Sequence, residues 1–361
     1  MKNNCPELSF PSKMYRGFGS LDRIKNISKK LGDRLFIIGG NKALEVTMPL
    51  LESQLVDLEL VDVAHYGGEC SQENIDKLIK QINKESVDFI VAIGGGKTLD
   101  TSKLVAQAVA LPLVTIPTIA ATCAAVASAS VLYDNNGHYL DFCVLNQAPD
   151  FVIMDPQIIA KAPVKWLAAG LADTLAKFYE FRAVCATNPE SSLNMSAYNN
   201  GQLCFDVISR YGPDAIQAVK SGQTSFALEQ VMDAIFIYAG FTSIMGVGNH
   251  VASAHGLYNG FTVNDKTRHF GHGLLVGYGN LCLLALEKRK EQDIFSAIQL
   301  AKDCGIPVSI TEIADLSDDE LMEIFNAAVA TPEIKNMPFV VTSQDLVTAT
   351  NYIEKLVSTL N

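Results

Sequence analysis

Tryptophan occurs once, histidine six times, and charge is sparse: Asp, Glu, Lys and Arg make up 19% of the 361 residues. No block of Lys and Arg is present, and 28 basic side chains face 39 acidic ones, a net charge of −11. Nucleic acids and anionic membranes are bound by clustered cations, so neither is expected as a partner. A small anionic substrate needs only one or two local cations and stays compatible. No CxxC pair joins the eight cysteines, Cys5, Cys70, Cys123, Cys143, Cys185, Cys204, Cys282 and Cys304, which are scattered along a chain too long to need stapling. The opening MKNNCPELSF lacks the apolar core of a signal peptide. A cytoplasmic protein with reduced thiols is expected. Hydrophobic residues at 48% exclude a disordered chain.

One stretch, Leu104 to Tyr133, carries no charge and is long enough to span a bilayer. Pro112 and Pro117 interrupt it, however, and Gln107, Thr115, Thr118, Thr122, Ser128 and Ser130 would take polar groups into lipid. A buried strand followed by a tight loop of small residues accounts for it better.

Residues 1–156 alternate short apolar runs with helical patterns, which predicts βα units around a parallel sheet. The expected strands are Arg34–Gly40, Leu58–His65, Val87–Ile93, Leu113–Ile116 and a closing Phe151–Met154. Ser130–Tyr133 and His138–Val144 read as a hairpin around an Asn-Gly turn. Residues 157–361 are mostly helical, with helices expected over Pro163–Ala186, Ser191–Tyr211 and Ser225–Met245. The fold class read from this pattern is therefore an α/β domain followed by an all-α domain.

The run Gly94-Gly95-Gly96-Lys97-Thr98 links an expected strand to an expected helix. Glycines let backbone N–H groups approach a phosphate, and a helix amino terminus adds partial positive charge. It is not an NTPase P-loop, because Val91 stands where that motif needs its first glycine. GxGxxG fails too, at Leu99. A triple glycine also serves as a plain structural turn; its place at the end of a strand, where open α/β sheets bind ligands, favours an anion site. The small side chains from Ile116 to Ala125 can line a cofactor or simply pack.

Four of the six histidines, His250, His255, His269 and His272, fall within 23 residues beside glycines, which raises the prospect of a metal site. Asp173, Lys177 and Glu180 share one face of an expected helix. Taken alone, that face reads as solvated with an Asp–Lys ion pair. One carboxylate and two imidazoles would leave a divalent cation with open coordination, able to polarise a substrate oxygen.

GGGKTLDTSK, LADTLAKFYE, AHGLYNGFT and HGLLVGYG, with GGECSQENID at Gly67–Asp76 and Asn336-Met337-Pro338, resemble the glycerol dehydrogenase-like branch of the iron-containing (group III) alcohol dehydrogenases. The resemblance spans essentially the whole chain. It implies an α/β Rossmann-like nucleotide-binding domain followed by an all-α domain in a dehydroquinate synthase-like architecture, a metal in the cleft between the domains, NAD or NADP as cofactor, and a homo-oligomer; the ligand types accommodate zinc or iron, with zinc favoured. It assigns the metal to Asp173, His255 and His272, which become the catalytic centre, and leaves His250 and His269 unassigned. Gly94, Gly95, Gly96 and Lys97 would cradle the pyrophosphate, with Thr118 and Tyr133 touching the cofactor.

Two departures stand out. Glycerol dehydrogenases carry an aspartate on the loop after PTIA, where this chain has Cys123, a substrate-site candidate. TIAATCAA instead resembles the hydroxycarboxylate dehydrogenase subgroup, which reduces 2-oxo acids. At Gly39-Gly40-Asn41-Lys42 the acid that selects NAD is missing, so Gly40 leaves room for NADP and Lys42 can pair with its phosphate. The reading is a metal-dependent NAD(P)(H) oxidoreductase acting on a small 2-hydroxy acid or another small alcohol. The rivals are a glycerol or polyol dehydrogenase, a dehydroquinate synthase-like lyase and a non-enzymatic nucleotide sensor.

Overall fold

The computed structural model describes residues 8–185, 191–246 and 251–360. It divides into two compact units, Met1–Ala162 with Ser221–Thr224, and Pro163–Lys220 with Ser225–Asn361.

The first unit is built on a parallel sheet of six strands: β1 (Lys13–Arg16), β2 (Arg34–Gly39), β3 (Glu59–His65), β4 (Phe89–Gly94), β5 (Leu113–Pro117) and β8 (Phe151–Met154), in the order β1-β8-β5-β4-β2-β3. Helices α1 (Ile24–Leu31), α2 (Asn41–Leu55), α3 (Gln72–Ile82) and α4 (Gly96–Val109) connect them, and α5 (Pro156–Ile159) follows β8. Both faces of the central strands are covered, so these read as unbroken apolar runs. Their alternation still sorts the faces: Leu35, Ile37, Val91, Ile93, Val114 and Ile116 pack together with Ile24 and Ile27 of α1 and Leu51 of α2.

The sheet differs from expectation at one edge. Phe151–Met154 does not close it but lies between β1 and β5. The edge strand β1, KMYR, has too few apolar residues to announce itself, because an edge strand need not be buried. A separate antiparallel pair, β6 (Ala129–Tyr133) and β7 (Tyr139–Val144), forms the expected hairpin. Its turn is longer than an Asn-Gly pair. Asp134 accepts the backbone N–H groups of Asn136 and His138, and Gly137 takes φ +83°.

The second unit holds helices α6 (Val164–Cys185), α7 (Ser192–Lys220), α8 (Phe226–Met232), α9 (Ala239–Met245), α10 (Ser253–Phe261), α11 (His272–Leu286), α12 (Glu291–Asp303), α13 (Ile310–Ile313), α14 (Asp318–Ala330) and α15 (Ser343–Thr359). A π-helical turn, Asp233–Tyr238, joins α8 to α9. α7 runs through Gly212-Pro213, where a stop was expected. The carbonyl that Pro213 leaves without a helical partner belongs to Ser209, an exposed residue, so water can satisfy it. α11 is buried almost all round. Among the described residues no helix is long and apolar enough to cross a membrane.

Candidate active site

In the first unit, the strand order reverses between β2 and β4, which lie side by side with Gly39 paired to Ile93. Open parallel sheets bind ligands at such a switch point, beyond the carboxyl ends of the strands. Gly94-Gly95-Gly96 sits there and runs directly into α4. A Cβ on Gly94 would lie 2.5 Å from the Thr98 side chain, and one on Gly95 would lie 2.6 Å from Cδ1 of Ile119. Larger residues would push the turn open and away from the loop behind it. Gly96 begins α4, so its N–H and those of Lys97 and Thr98 have no helical acceptor and can bind an anion.

The other first-unit candidates fall around this turn. Buried Thr118 donates its backbone N–H to Gly94 O at 3.0 Å. Lys97 Nζ lies 5.3 Å from the centre of the Tyr133 ring. It also pairs with Oε2 of Glu69 at 2.5 Å, a carboxylate to which no sequence pattern assigns a role. Cys123 opens the short 3-10 turn Cys123–Ala125, whose cap is the Thr122 hydroxyl accepting from Ala124 N. Gly40 caps α2 next to the Tyr66 ring, and the first turn of α2 holds no acid.

In the second unit, α6, α10 and α11 meet around a small apolar cluster of Ala176, Ala254 and Val276. Close packing of these helices rests on the glycines of HGLLVGYG. A Cβ on Gly273 would lie 2.1 Å from Ala169 O, and one on Gly277 would lie 2.8 Å from the Ala172 Cβ; the two glycines are four apart on one face of α11, and both alanines belong to α6. Asn280 fixes the same contact by donating to Ala172 O at 3.0 Å. The first residue of α11, His272, is thereby held against α6.

Oδ1 of Asp173 lies 3.5 Å from Nε2 of His255 and 3.4 Å from Nε2 of His272. It is buried and makes no hydrogen bond to either ring. One ligand atom from each residue falls within 4.8 Å of the other two, the donor set of a metal site. An orphaned buried carboxylate oxygen is costly unless something cationic meets it, so these residues fit a divalent ion. His269, by contrast, is exposed beside Arg268, and His250 lies outside the described residues.

The face bearing Asp173, Lys177 and Glu180 is not solvated, as the sequence suggested: the three residues are 5%, 5% and 0% exposed. Glu180 lies two helical turns beyond Asp173 and accepts three bonds, from Ala252 N, His255 N and His255 Nδ1, the last at 2.5 Å. With Nδ1 engaged, the His255 ring turns Nε2 towards Asp173, which is how a supporting carboxylate orients a ligating imidazole. The Tyr258 ring stands edge-on to His272 at 4.2 Å. Sequence reasoning gave neither Glu180 nor Tyr258 a role, although their spacings from the ligands, seven and three residues, are both helical.

Burial opposes the charge on Asp173, but Lys177 and the two imidazoles outweigh it and hold the carboxyl well below its usual range. Burial likewise opposes charge on His255, yet Glu180 and Asp173 prevail and raise it to about 9. Without a cation, the imidazolium supplies the positive charge that these two carboxylates require.

A sequence model of the iron-containing alcohol dehydrogenases matches residues 11–156. The glycerol dehydrogenase of Citrobacter freundii is 32% identical over 350 residues, 93% of this chain and 93% of its own. The chain belongs to the iron-containing alcohol dehydrogenase family. The solved glycerol dehydrogenase of Schizosaccharomyces pombe has the same fold, with a TM-score of 0.87 over 98% of this chain and 91% of that one, at 25% identity. Hydroxycarboxylate dehydrogenase A of Escherichia coli K12 is 37% identical, but over 227 residues, 61% of each chain. The glycerol dehydrogenase branch is supported over 93% of the chain, and the expected tie to the hydroxycarboxylate subgroup is not specifically favoured. Within this family the protein is an oxidoreductase of the alcohol dehydrogenase type, acting on CH–OH groups.

Proposed function

We propose that this protein oxidises a small polyol of the glycerol class, and reduces the corresponding carbonyl, using a nicotinamide cofactor and one divalent metal held by Asp173, His255 and His272. The observation that carries the reading is the convergence of two imidazole nitrogens on a buried Asp173 oxygen that has no hydrogen bond. Full-length similarity to glycerol dehydrogenases supports the substrate class. When bound, the metal acts as a Lewis acid on the substrate oxygen and the nicotinamide exchanges hydride with the carbinol carbon.

The chain's own residues do the rest. Asp173 brings a charged oxygen and leaves open coordination for substrate once the two imidazoles are in place. Glu180 fixes the tautomer and tilt of His255. Gly95 and Gly96, at the cap and first residue of α4, offer N–H groups to a diphosphate and Gly94 ends the strand beneath them, with Lys97 beside them and Thr118 and Tyr133 along the same edge. Gly40 gives the adenosine end no acid, a feature compatible with either NAD or NADP. Either zinc or iron suits one carboxylate and two imidazoles.

One observation favours a second reading, a 2-hydroxy acid as substrate. Cys123 offers no anionic acceptor to a second hydroxyl and no repulsion to a carboxylate. The test is steady-state kinetics of metal-replete protein with glycerol, 2-oxobutanoate and 2-oxoglutarate, each with both nicotinamides. Polyol chemistry predicts the highest kcat/KM for glycerol oxidation; a clear preference for the 2-oxo acids would replace it with the second reading. His272→Ala should abolish turnover with the fold intact, and undiminished turnover would end both.

A further inference from the structure

The side chain of Lys103 is 2% exposed, in a helix whose neighbouring surface would accept a leucine or methionine at far lower desolvation cost. Its ammonium is nevertheless fully engaged. Nζ meets Oδ1 of Asp100 at 2.8 Å, one turn back on α4. It also donates to the carbonyls of Ala124 at 3.0 Å, Ala127 at 3.3 Å and Ala129. Asp100 extends the same grip: Oδ2 accepts Val131 N at 3.2 Å, and its backbone carbonyl accepts the Ser130 hydroxyl at 3.1 Å. Thr115 of β5 adds a bond to Ala125 O at 2.8 Å.

These contacts all fall on one segment, from the short turn at Cys123 to the start of β6. Three carbonyls turned inward on one ammonium leave that segment little freedom, since each departure would strand a buried dipole or the charge itself. The segment also packs on the glycine turn: a Cβ on Gly96 would lie 3.6 Å from the Thr122 hydroxyl and 4.0 Å from the Ala124 Cβ. α4 thus holds the turn at its amino terminus and the Cys123 segment along its flank.

We propose that Lys103, supported by Asp100, is a positioning residue for the reaction: it sets the Cys123 segment and the strand leading to Tyr133 at a fixed distance from the glycine turn, and so fixes where substrate sits against the cofactor. The proposal rests on the functional reading above, in which this edge faces cofactor and substrate. Neither residue touches either one; both act through the backbone they hold.

The double variant D100N/K103M removes the pair together and leaves no unbalanced buried charge. It is compared with wild type by thermal melting, NADH affinity from fluorescence titration, hydrogen exchange of residues 122–131 and steady-state kinetics. We expect an unchanged fold, a loss of NADH affinity much smaller than that of kcat, faster exchange in that segment, and kcat lower by on the order of tenfold to a hundredfold, the cost of misplacing a reacting group by about 1 Å. Unchanged kcat and KM in a folded variant would overturn the proposal. So would a loss of NADH affinity as large as the loss of kcat, since the residues would then only hold the domain together. If the double variant does not fold, Thr115→Val, which removes one carbonyl contact without touching a charge, is judged by the same criteria. Should wild type prefer a 2-oxo acid to glycerol, the polyol reading fails, and the same comparison on that substrate still decides the role of Lys103.

Discussion

Nζ of Lys97 sits 2.5 Å from Oε2 of Glu69, so the cation placed to anchor a diphosphate already has an anionic neighbour. The two differ in exposure: the lysine side chain is 49% exposed and the glutamate 13%. Glu69 is held from below by the Cys70 backbone N–H, so it stays in place when the lysine moves. Partly exposed pairs of this kind are worth about 0–1 kcal/mol. Glu69→Gln should therefore tighten NADH binding by about twofold to fivefold, measured by fluorescence titration at low salt, with the gain fading as salt rises. Weaker binding would mean that Glu69 aims Lys97 at the phosphates instead of competing with them.

The metal centre predicts a pH dependence with a definite sign. His255 is raised from 6.5 to about 9 in the metal-free protein, and a metal ligand must be neutral. Below about pH 9 each ion bound displaces a proton, so apparent affinity should rise with pH and level off above 9. Chelator competition between pH 6 and 9.5 checks this; a flat profile would show that His255 is not a ligand. The stability of the metal-free form runs the other way. A folded-state pKa above the unfolded value stabilises fully below pH 6.5, and that contribution disappears as pH rises through about 9.

Glu180→Gln keeps size and one acceptor but removes the charge that orients His255. Loss of a supporting carboxylate costs about tenfold to a hundredfold in metal affinity. Equilibrium dialysis against buffered zinc should show a loss of that order, with the melting temperature of the metal-free protein as the control for folding. Unchanged affinity would reduce Glu180 to a helix-packing role.

Gly273→Ala places a Cβ 2.1 Å from Ala169 O, backbone that has no flexible end to move aside. Overpacking of this kind costs about 1–3 kcal/mol and would push the start of α11 away from α6. Both urea stability and metal affinity should fall. A stable variant with full affinity would show that α11 is not held by this contact.

The fold was legible where burial dictates composition. β2, β4 and β5 are covered on both faces and read as apolar runs, and α11 is apolar on every side. The edge strand β1 was not legible, because half-exposed KMYR has no pattern to show. Pro213 misled because a helix tolerates proline when the freed carbonyl reaches water. At the site, the clustering of histidines pointed to the right region but could not separate His255 and His272 from exposed His269. Asp173, Lys177 and Glu180 looked like a solvated face, since polar residues on one side of a helix carry the same pattern whether water or an ion balances them. Only the helices packed against that face distinguish the two cases.

Metal stoichiometry measured by mass spectrometry on wild type and Asp173→Asn, with circular dichroism on both, tests the central claim most directly. Convergence of Asp173, His255 and His272 on one ion predicts about one zinc or iron per wild-type chain, and an Asp173→Asn chain that folds normally but holds almost none. A wild-type chain that binds no divalent metal, or a variant that keeps it, would contradict the account.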